Sequence, residues 1–231
     1  MDSLTALHRE IVRCAACPRL VQWRQKVALE KRRAYRDWHY WGKPVPGFGD
    51  PNARLVIVGL APGAHGANRT GRMFTGDRSG DFLYAALYRA GFANQPTSRD
   101  AKDGLRLRDA FIVSAARCAP PENKPLPEEI LRCSPFFDRE LELVPPRVML
   151  ALGGIAWEAS LGFLNRRGFA LPRPRPRFSH RGELAIEGAP VVIGCYHVSQ
   201  QNTQTGRLTA QMLDAILDRA RRLVSMQHLD F

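Results

Sequence analysis

Four short apolar runs set the terms for what this chain can fold into. Leu55-Val56-Ile57-Val58-Gly59-Leu60, Phe111-Ile112-Val113-Ser114-Ala115, Val148-Met149-Leu150-Ala151-Leu152 and Val191-Val192-Ile193-Gly194 carry almost no polar side chains and are bounded by turn formers. A strand with one face in water alternates polar and apolar residues, so runs without alternation describe strands buried on both faces, as in a parallel sheet covered by helices. The segments between them supply the helices. Asp81 to Ala90 places Phe82, Leu83, Ala86, Leu87 and Ala90 on one face and meets Gly91 as a C-terminal cap. Pro127 to about Leu143 opens with proline, and its Glu128 and Glu129 sit at the positive end of the helix dipole. Gly153 to Leu164 is a third helix. The fourth, about Thr209 to Val224, lines up Met212, Leu213, Ile216, Leu217, Ala220, Leu223 and Val224 as a core-packing stripe. The pattern predicts one α/β domain over residues 1–231, a three-layer α/β/α arrangement around a central, mostly parallel, four-stranded sheet.

At 231 residues and 45% hydrophobic content the chain is long enough for a full core. No window approaches the roughly 20 apolar residues of a membrane span. Met1-Asp2-Ser3-Leu4 opens without a basic stretch followed by an apolar one, so the expected setting is the cytoplasm. The formal charge of +12 asks for a polyanionic partner, and nucleic acid is the commonest. An arginine-rich composition inherited from a GC-rich genome is the plainer explanation. Two tracts concentrate the charge. Residues 23–50 interleave Lys26, Lys31, Arg32, Arg33 and Arg36 with Trp23, Tyr35, Trp38, Tyr40 and Trp41, while residues 166–181 form a stiff, proline-spaced basic segment holding Arg173, Arg175 and Arg177. Such mixtures track phosphates and stack on bases, or else form a solvated surface with a few packed rings.

Cysteine usage points to a metal. Cys14-x₂-Cys17 presents two thiolates to one site, and Cys118 and Cys133 complete a four-ligand set. Arg13 and Arg19 flank the first pair, where positive charge favours the thiolate. Zinc and a four-iron cluster both accept four thiolates, and the spacing does not separate them. Cys195 lies inside an apolar run and reads as a buried, inert strand residue.

In an open α/β sheet the ligand crevice lies beyond the carboxyl ends of the strands. Three polar loops occupy those places here: Gly59 to Asp77, rich in glycine; Arg117 to Pro125, rich in proline; and Tyr196 to Leu208, crowded with amides and hydroxyls around His197. The first loop lacks the Gly-Lys-Ser/Thr ending of a P-loop and the dinucleotide fingerprint, which disfavours a nucleotide-dependent or redox enzyme.

With the four cysteines interspersed, these loops resemble the iron–sulfur uracil-DNA glycosylases, specifically family 5, the UDGb type. Gly59-Leu60-Ala61-Pro62-Gly63-Ala64-His65-Gly66 is similar to that family's first motif, and His197-Val198-Ser199 with Gln201-Asn202-Thr203-Gln204-Thr205-Gly206-Arg207 to its second, within a likeness spanning about residues 8–224. The resemblance implies a four-iron, four-sulfur cluster on Cys14, Cys17, Cys118 and Cys133, and removal of deaminated bases from double-stranded DNA by a monomer. It places Gly59, Ala61, Gly63, Ala64 and His65 around the base and Phe74 stacked on it. His197 is matched to the histidine that hydrogen-bonds a uracil carbonyl, and Gln201, Asn202 and Arg207 to DNA contacts. Many uracil glycosylases carry an acid or amide in the first motif where this chain has Leu60 and Ala61, a departure typical of family 5. The resemblance then assigns Asp77 and Asn123 to water or to the cationic sugar, although Asp77 could instead cap a helix and Asn123 shape a turn. Lys124 is the only lysine near a pocket motif, so water rather than an amine is the expected nucleophile. The competing expectation is a metal-stapled DNA-binding module without activity.

Overall fold

The computed structural model describes residues 3–226. In chain order its elements are α1 (Leu4–Arg13), α2 (Pro18–Glu30), β1 (Phe48–Gly49), β2 (Leu55–Gly59), α3 (Ala67–Thr70), α4 (Arg78–Arg89), β3 (Ala110–Ser114), α5 (Pro127–Leu143), β4 (Val148–Leu152), α6 (Gly154–Arg166), β5 (Glu183–Leu184), β6 (Val191–Cys195), α7 (Gln200–Gln204) and α8 (Ala210–Ser225), with single 3₁₀ turns at Arg33–Tyr35 and Pro121–Asn123.

The four apolar runs form the parallel centre of one sheet ordered β1-β3-β2-β4-β6-β5. The sheet has six strands rather than four. Its two edges are antiparallel and two residues long, with Phe48 opposite Ile112 and Leu184 opposite Val192. Strands that short carry no repeat for a pattern to reveal, and they cap the edges of the central sheet.

Side chains alternate across the pleat and feed two cores. Leu55, Ile57, Leu150 and Ile193 face α4 and α8, where Leu83, Leu87, Leu213 and Leu217 are buried. Val56, Val58, Met149 and Val192 face α5 and α6, against Phe137, Leu141, Trp157 and Leu161. Removing one such side chain to Ala costs about 2–5 kcal/mol.

Helix α4 begins at Arg78, earlier than the apolar stripe suggests, because Asp77 Oδ1 accepts the Gly80 N–H at 2.9 Å and caps it. β2 connects to β3 through α4 on one face, and β4 connects to β6 through α6 on the other. Since β2 and β4 are neighbours, the connections diverge between them and open a crevice at their carboxyl ends.

Candidate active site

Gly59 ends β2, and the Phe74 ring lies over it. A Cβ at Gly59 would stand 2.9 Å from Phe74 Cε2 and Cζ, so only glycine lets the ring settle on the strand end. The main chain of Phe74 is left-handed, φ 50°, which costs a bulky residue roughly 1–3 kcal/mol. Its neighbours hold it there. The Tyr84 hydroxyl donates to the Met73 carbonyl at 2.8 Å, Thr75 Oγ1 donates to the same carbonyl at 3.1 Å, and the Gly80 backbone packs on the Phe74 carbonyl where a side chain would collide.

His197 enters from the loop after β6. Its ring centroid is 6.4 Å from that of Phe74, with the planes tilted by 39°. Burial pushes the His197 pKa below its ordinary 6.5, so the imidazole is neutral at neutral pH. Asn202 Nδ2 donates to the His197 carbonyl at 2.8 Å, and Ser199 caps α7 through the Asn202 N–H. Gly153, at the end of β4 with φ 96°, comes close to the same histidine: a Cβ there would lie 3.4 Å from His197 Cβ. The Arg207 guanidinium lies 4.7 Å from the Tyr196 ring centroid, and Gln201 is exposed.

Asp77 fits inside the glycine-rich loop. While Oδ1 caps α4, Oδ2 lies 3.0 Å from where a Cβ on Gly63 would be and fills the space of one on Gly66. Both glycines are therefore required for the carboxylate to sit there. Burial pushes the Asp77 pKa up, opposed by the Gly80 N–H; Asp81 raises it further, and the Ser79 N–H and Arg69 oppose the rise. Ala61 and Ala64 are half-buried along the same loop. His65 Nδ1 is 2.9 Å from the Tyr40 hydroxyl, and burial, then Arg32 and Arg69, hold its pKa low. Asn123 is exposed on its 3₁₀ turn with φ 58°. The structure thus brings Phe74 to His197 and Asp77 to Gly63 and Gly66, and among the described residues shows no hydrogen bond from the Asn123 side chain to any of them.

A profile described as the uracil DNA glycosylase superfamily matches residues 46–221, which contain Gly59, Phe74, Asp77, Asn123, Gly153 and His197. The chain belongs to that superfamily. Among its relatives, the type-5 uracil-DNA glycosylase of Mycobacterium bovis is 54% identical over 228 residues, covering 97% of this chain and 83% of that protein. The type-5 enzyme of Mycobacterium leprae is 52% identical, covering 97% of each chain, and that of Thermus thermophilus 48% identical, covering 96% of this chain and 98% of its own.

In this superfamily member four rings of the first basic tract pack on the fold rather than projecting free into solvent. Tyr35 and Trp38 hold the Arg69 guanidinium at 3.9 and 4.0 Å from their ring centroids, Tyr40 is buried against His65, and Trp41 packs on Gly71 while donating to the Pro44 carbonyl at 3.0 Å. The rings buttress the glycine-rich loop instead. The second tract is an ordered strap: Trp157 Nε1 donates to the Pro176 carbonyl at 3.0 Å, and Phe178 packs between Trp157 and Tyr196. Arg173, Arg175 and Arg177 face outward, with Arg175 paired to Glu158 at 2.9 Å.

Cys14 follows α1, Cys17 directly precedes α2, Cys118 lies in the loop after β3, and Cys133 is in α5; all four are free thiols lining one cavity with Leu20, Arg117 and Phe136. Burial pushes the Cys118 thiol up to about 12 and the Cys133 thiol up to about 11, and raises Cys17 as well. Among the described residues no group of three or more His, Cys, Asp or Glu side chains is arranged to hold a metal ion. Arg117, 2% exposed, lies beside the thiols with its Nη2 paired to the buried Glu140, and its Nε and Nη1 have no hydrogen-bond partner. Cys195 is buried in β6 with its thiol pushed up to about 12, the inert role its apolar run suggested.

Sequence reasoning gave Gly153 and Arg69 no place in the site, and read Tyr40 only as one ring of a basic tract. Gly153 carried a usable signal, a glycine at the carboxyl end of a parallel strand. Arg69 carried none, since an arginine in a polar loop reads as solvated.

Proposed function

We propose that this chain is a type-5 uracil-DNA glycosylase that flips uracil out of DNA and hydrolyses its N-glycosidic bond, leaving an abasic site. The observation that carries the proposal is the pairing of the Phe74 ring with a neutral, half-buried His197 at the mouth of the crevice. An extruded base needs a π-face to rest on and a donor for the carbonyl oxygen on which negative charge develops. Phe74 supplies the first. His197 supplies the second as an uncharged N–H donor, stronger in a dry site than in water.

Asp77 has one oxygen committed to α4, so its second oxygen orients the attacking water or offsets charge on the sugar. Asn123 assists from the loop after β3. Lys124 is exposed, and no lysine stands in the glycine-rich or His197 loops, which supports water as the nucleophile and a monofunctional enzyme. The apolar Leu60 and Ala61 impose little selection on the base, so hypoxanthine, xanthine and ethenocytosine are further candidates. Arg173, Arg175, Arg177 and Arg207 contact phosphates of the duplex. Asn202 is tied to the His197 carbonyl, which leaves Gln201 as the amide free to enter the helix where the base has left. The enzyme acts as a cytoplasmic monomer; no helix among the described residues is long and apolar enough to cross a membrane.

Cys14, Cys17, Cys118 and Cys133 hold a four-iron, four-sulfur cluster. Four thiols around one cavity are a suitable donor set, and one zinc would draw all four sulfurs to within about 4 Å of each other, since Zn–S bonds are about 2.3 Å. Burial raises the pKa of Cys17, Cys118 and Cys133, so a metal group that displaces their protons is the natural way to populate those thiolates. When bound, the cluster supplies a rigid cross-link and no chemistry to the excised base. Anaerobically purified protein is expected to be brown and to contain iron and sulfide; stoichiometric zinc without iron would overturn the assignment.

Incubation with an end-labelled duplex containing one uracil, followed by alkali, is expected to break the strand at that position. Duplex binding without any break would instead favour the non-catalytic DNA-binding module.

A further inference from the structure

We propose that Arg69 is a positioning residue for base excision, a clamp that fixes both ends of the glycine-rich loop and is itself locked by the aromatic strap of residues 35–41. This rests on the glycosylase reading above. Arg69 is 3% exposed. Its guanidinium Nε donates to the His65 carbonyl at 2.7 Å and Nη2 to the Gly76 carbonyl at 2.6 Å. One planar fork therefore joins the residue after Ala64 to the residue before Asp77, a bridge that the single ammonium of lysine does not reproduce.

Arg69 forms no ion pair among the described residues, and a buried cation without a carboxylate is costly unless its surroundings are shaped for it. Here they are. Tyr35 and Trp38 place their faces 3.9 and 4.0 Å from the guanidinium carbon, the arrangement of a desolvated cation–π contact. Main-chain bonds fasten the strap to the same turn: the Trp41 N–H donates to the Arg69 carbonyl at 2.9 Å, and the Gly42 N–H to the Asn68 carbonyl at 3.0 Å. Tyr40 adds its contact to His65 at 2.9 Å.

The far end of the clamp is where chemistry needs accuracy. Gly76 follows Thr75 and the left-handed Phe74, precedes Asp77, and donates its own N–H to the Ser98 carbonyl at 2.9 Å. A Cβ at Gly76 would lie 2.5 Å from Arg69 Nη2, so the guanidinium rests directly on the main chain between the stacking ring and the carboxylate. Losing the fork frees Gly76 and lets Phe74 and Asp77 drift, without touching any residue that faces phosphate.

The test measures single-turnover excision from a uracil duplex alongside affinity for the same duplex carrying 2′-fluoro-2′-deoxyuridine, which resists cleavage. Arg69→Lys is expected to slow excision about 10²-fold, the scale of a 1 Å misplacement, with affinity within about twofold of the unmodified protein. Trp38→Ala, at a half-exposed position that tolerates truncation, is expected to lower the rate in the same sense with an unchanged unfolding midpoint. Trp38→Phe, which keeps a π-face, should recover most of that loss. The Arg69→Lys and Trp38→Ala effects should combine less than multiplicatively, because both break one clamp. An Arg69→Lys enzyme with the unmodified rate would overturn the proposal, as would a Trp38→Ala enzyme whose loss lies entirely in duplex affinity, which would make Trp38 a DNA contact. If Arg69→Lys fails to fold, the two Trp38 variants decide. Were the unmodified protein itself inactive, the glycosylase reading would fail separately, and hydrogen exchange at the Gly76 amide would decide the clamp: faster exchange in Trp38→Ala supports it, and unchanged exchange refutes it.

Discussion

Gly59→Ala is the most direct probe of the base-stacking surface. The new Cβ would stand 2.9 Å from two carbons of the Phe74 ring, whereas unstrained carbon contacts lie at about 3.5–4.0 Å, so the ring must retreat by about 0.6–1 Å. The Phe74 main chain cannot share that movement. It is held left-handed at φ 50°, fixed through the Tyr84 hydroxyl bond to the preceding carbonyl, and backed by Gly80. The ring therefore rotates alone, and a flipped base resting on it shifts relative to His197 by a similar distance. A displacement of about 1 Å corresponds to about a 10²-fold loss in rate, or about 2.7 kcal/mol of transition-state stabilisation. Overpacking costs about 1–3 kcal/mol of folding stability, partly offset by the smaller conformational freedom of alanine in the unfolded chain. The assay is rapid-quench single-turnover excision, with the unfolding midpoint and duplex affinity measured beside it. A folded Gly59→Ala enzyme that excises within threefold of the unmodified rate would show that Phe74 is not the surface on which the base stacks.

His197→Ala should lose about 10²–10³ in rate, as for one oxyanion donor. Because burial holds the His197 pKa below 6.5, the unfolded chain takes up a proton there at a higher pH than the folded one; stability contributed by this residue is full above 6.5 and falls as pH drops from 6.5 toward the folded pKa. Urea midpoints between pH 5 and 8 should show that decline, absent in His197→Gln, and an acid limb of the rate assigned to His197 must lie below 6.5. Asp77→Asn should slow excision while keeping the α4 cap, since asparagine caps equally well, and Asn123→Ala should slow it without weakening DNA binding; unmodified rates in both variants would refute a water-orienting role. Duplex affinity should fall with salt at about 0.9 per neutralised phosphate, and replacing Arg173, Arg175 and Arg177 together should flatten the slope of a logarithmic plot, by less than three phosphates' worth because Arg175 is partly engaged by Glu158.

The parallel centre of the sheet was legible because strands buried on both faces must be apolar at every position, and four runs met that condition. The edge strands were not, because Phe48–Gly49 and Glu183–Leu184 are too short to display a period. Helix α1 offered Leu4, Leu7 and Ile11 at helical spacing, a signal the four apolar runs overshadowed. The first basic tract left two readings open, and its rings followed the packed one: Tyr40 is buried and Tyr35 and Trp38 stack on Arg69, while Lys26, Arg32, Arg33 and Arg36 stay exposed. Elsewhere charge patterning treats arginine as solvated, yet Arg69, Arg72 and Arg117 are each at most 5% exposed. A guanidinium stacks on rings and bonds carbonyls within the fold, which a count of charges does not reveal. Within the candidate site, motifs brought Phe74, His197 and the glycines forward, while the double role of Asp77, capping α4 and filling the loop, required the geometry.

The placement of the four cysteines also governs when their cavity can be filled. Cys14 and Cys17 stand near the start of the chain, and about a hundred residues separate them from Cys118. At synthesis rates of about 5–20 residues per second, on the order of 6–23 s elapse between translation of Cys17 and of Cys133. Through that interval the first pair is a bare dithiol in a basic setting, open to oxidation or to capture by a stray ion. The cluster proposed for all four would close a loop of about a hundred residues, restricting the unfolded chain by about 4–5 kcal/mol in the chain-entropy picture of a cross-link. The amino-terminal helices, made first, already have seats of their own, with Leu7 and Ile11 buried and Arg19 paired to Glu129 at 2.8 Å, so such a group would be a late fastening on an arm that the polypeptide itself has docked.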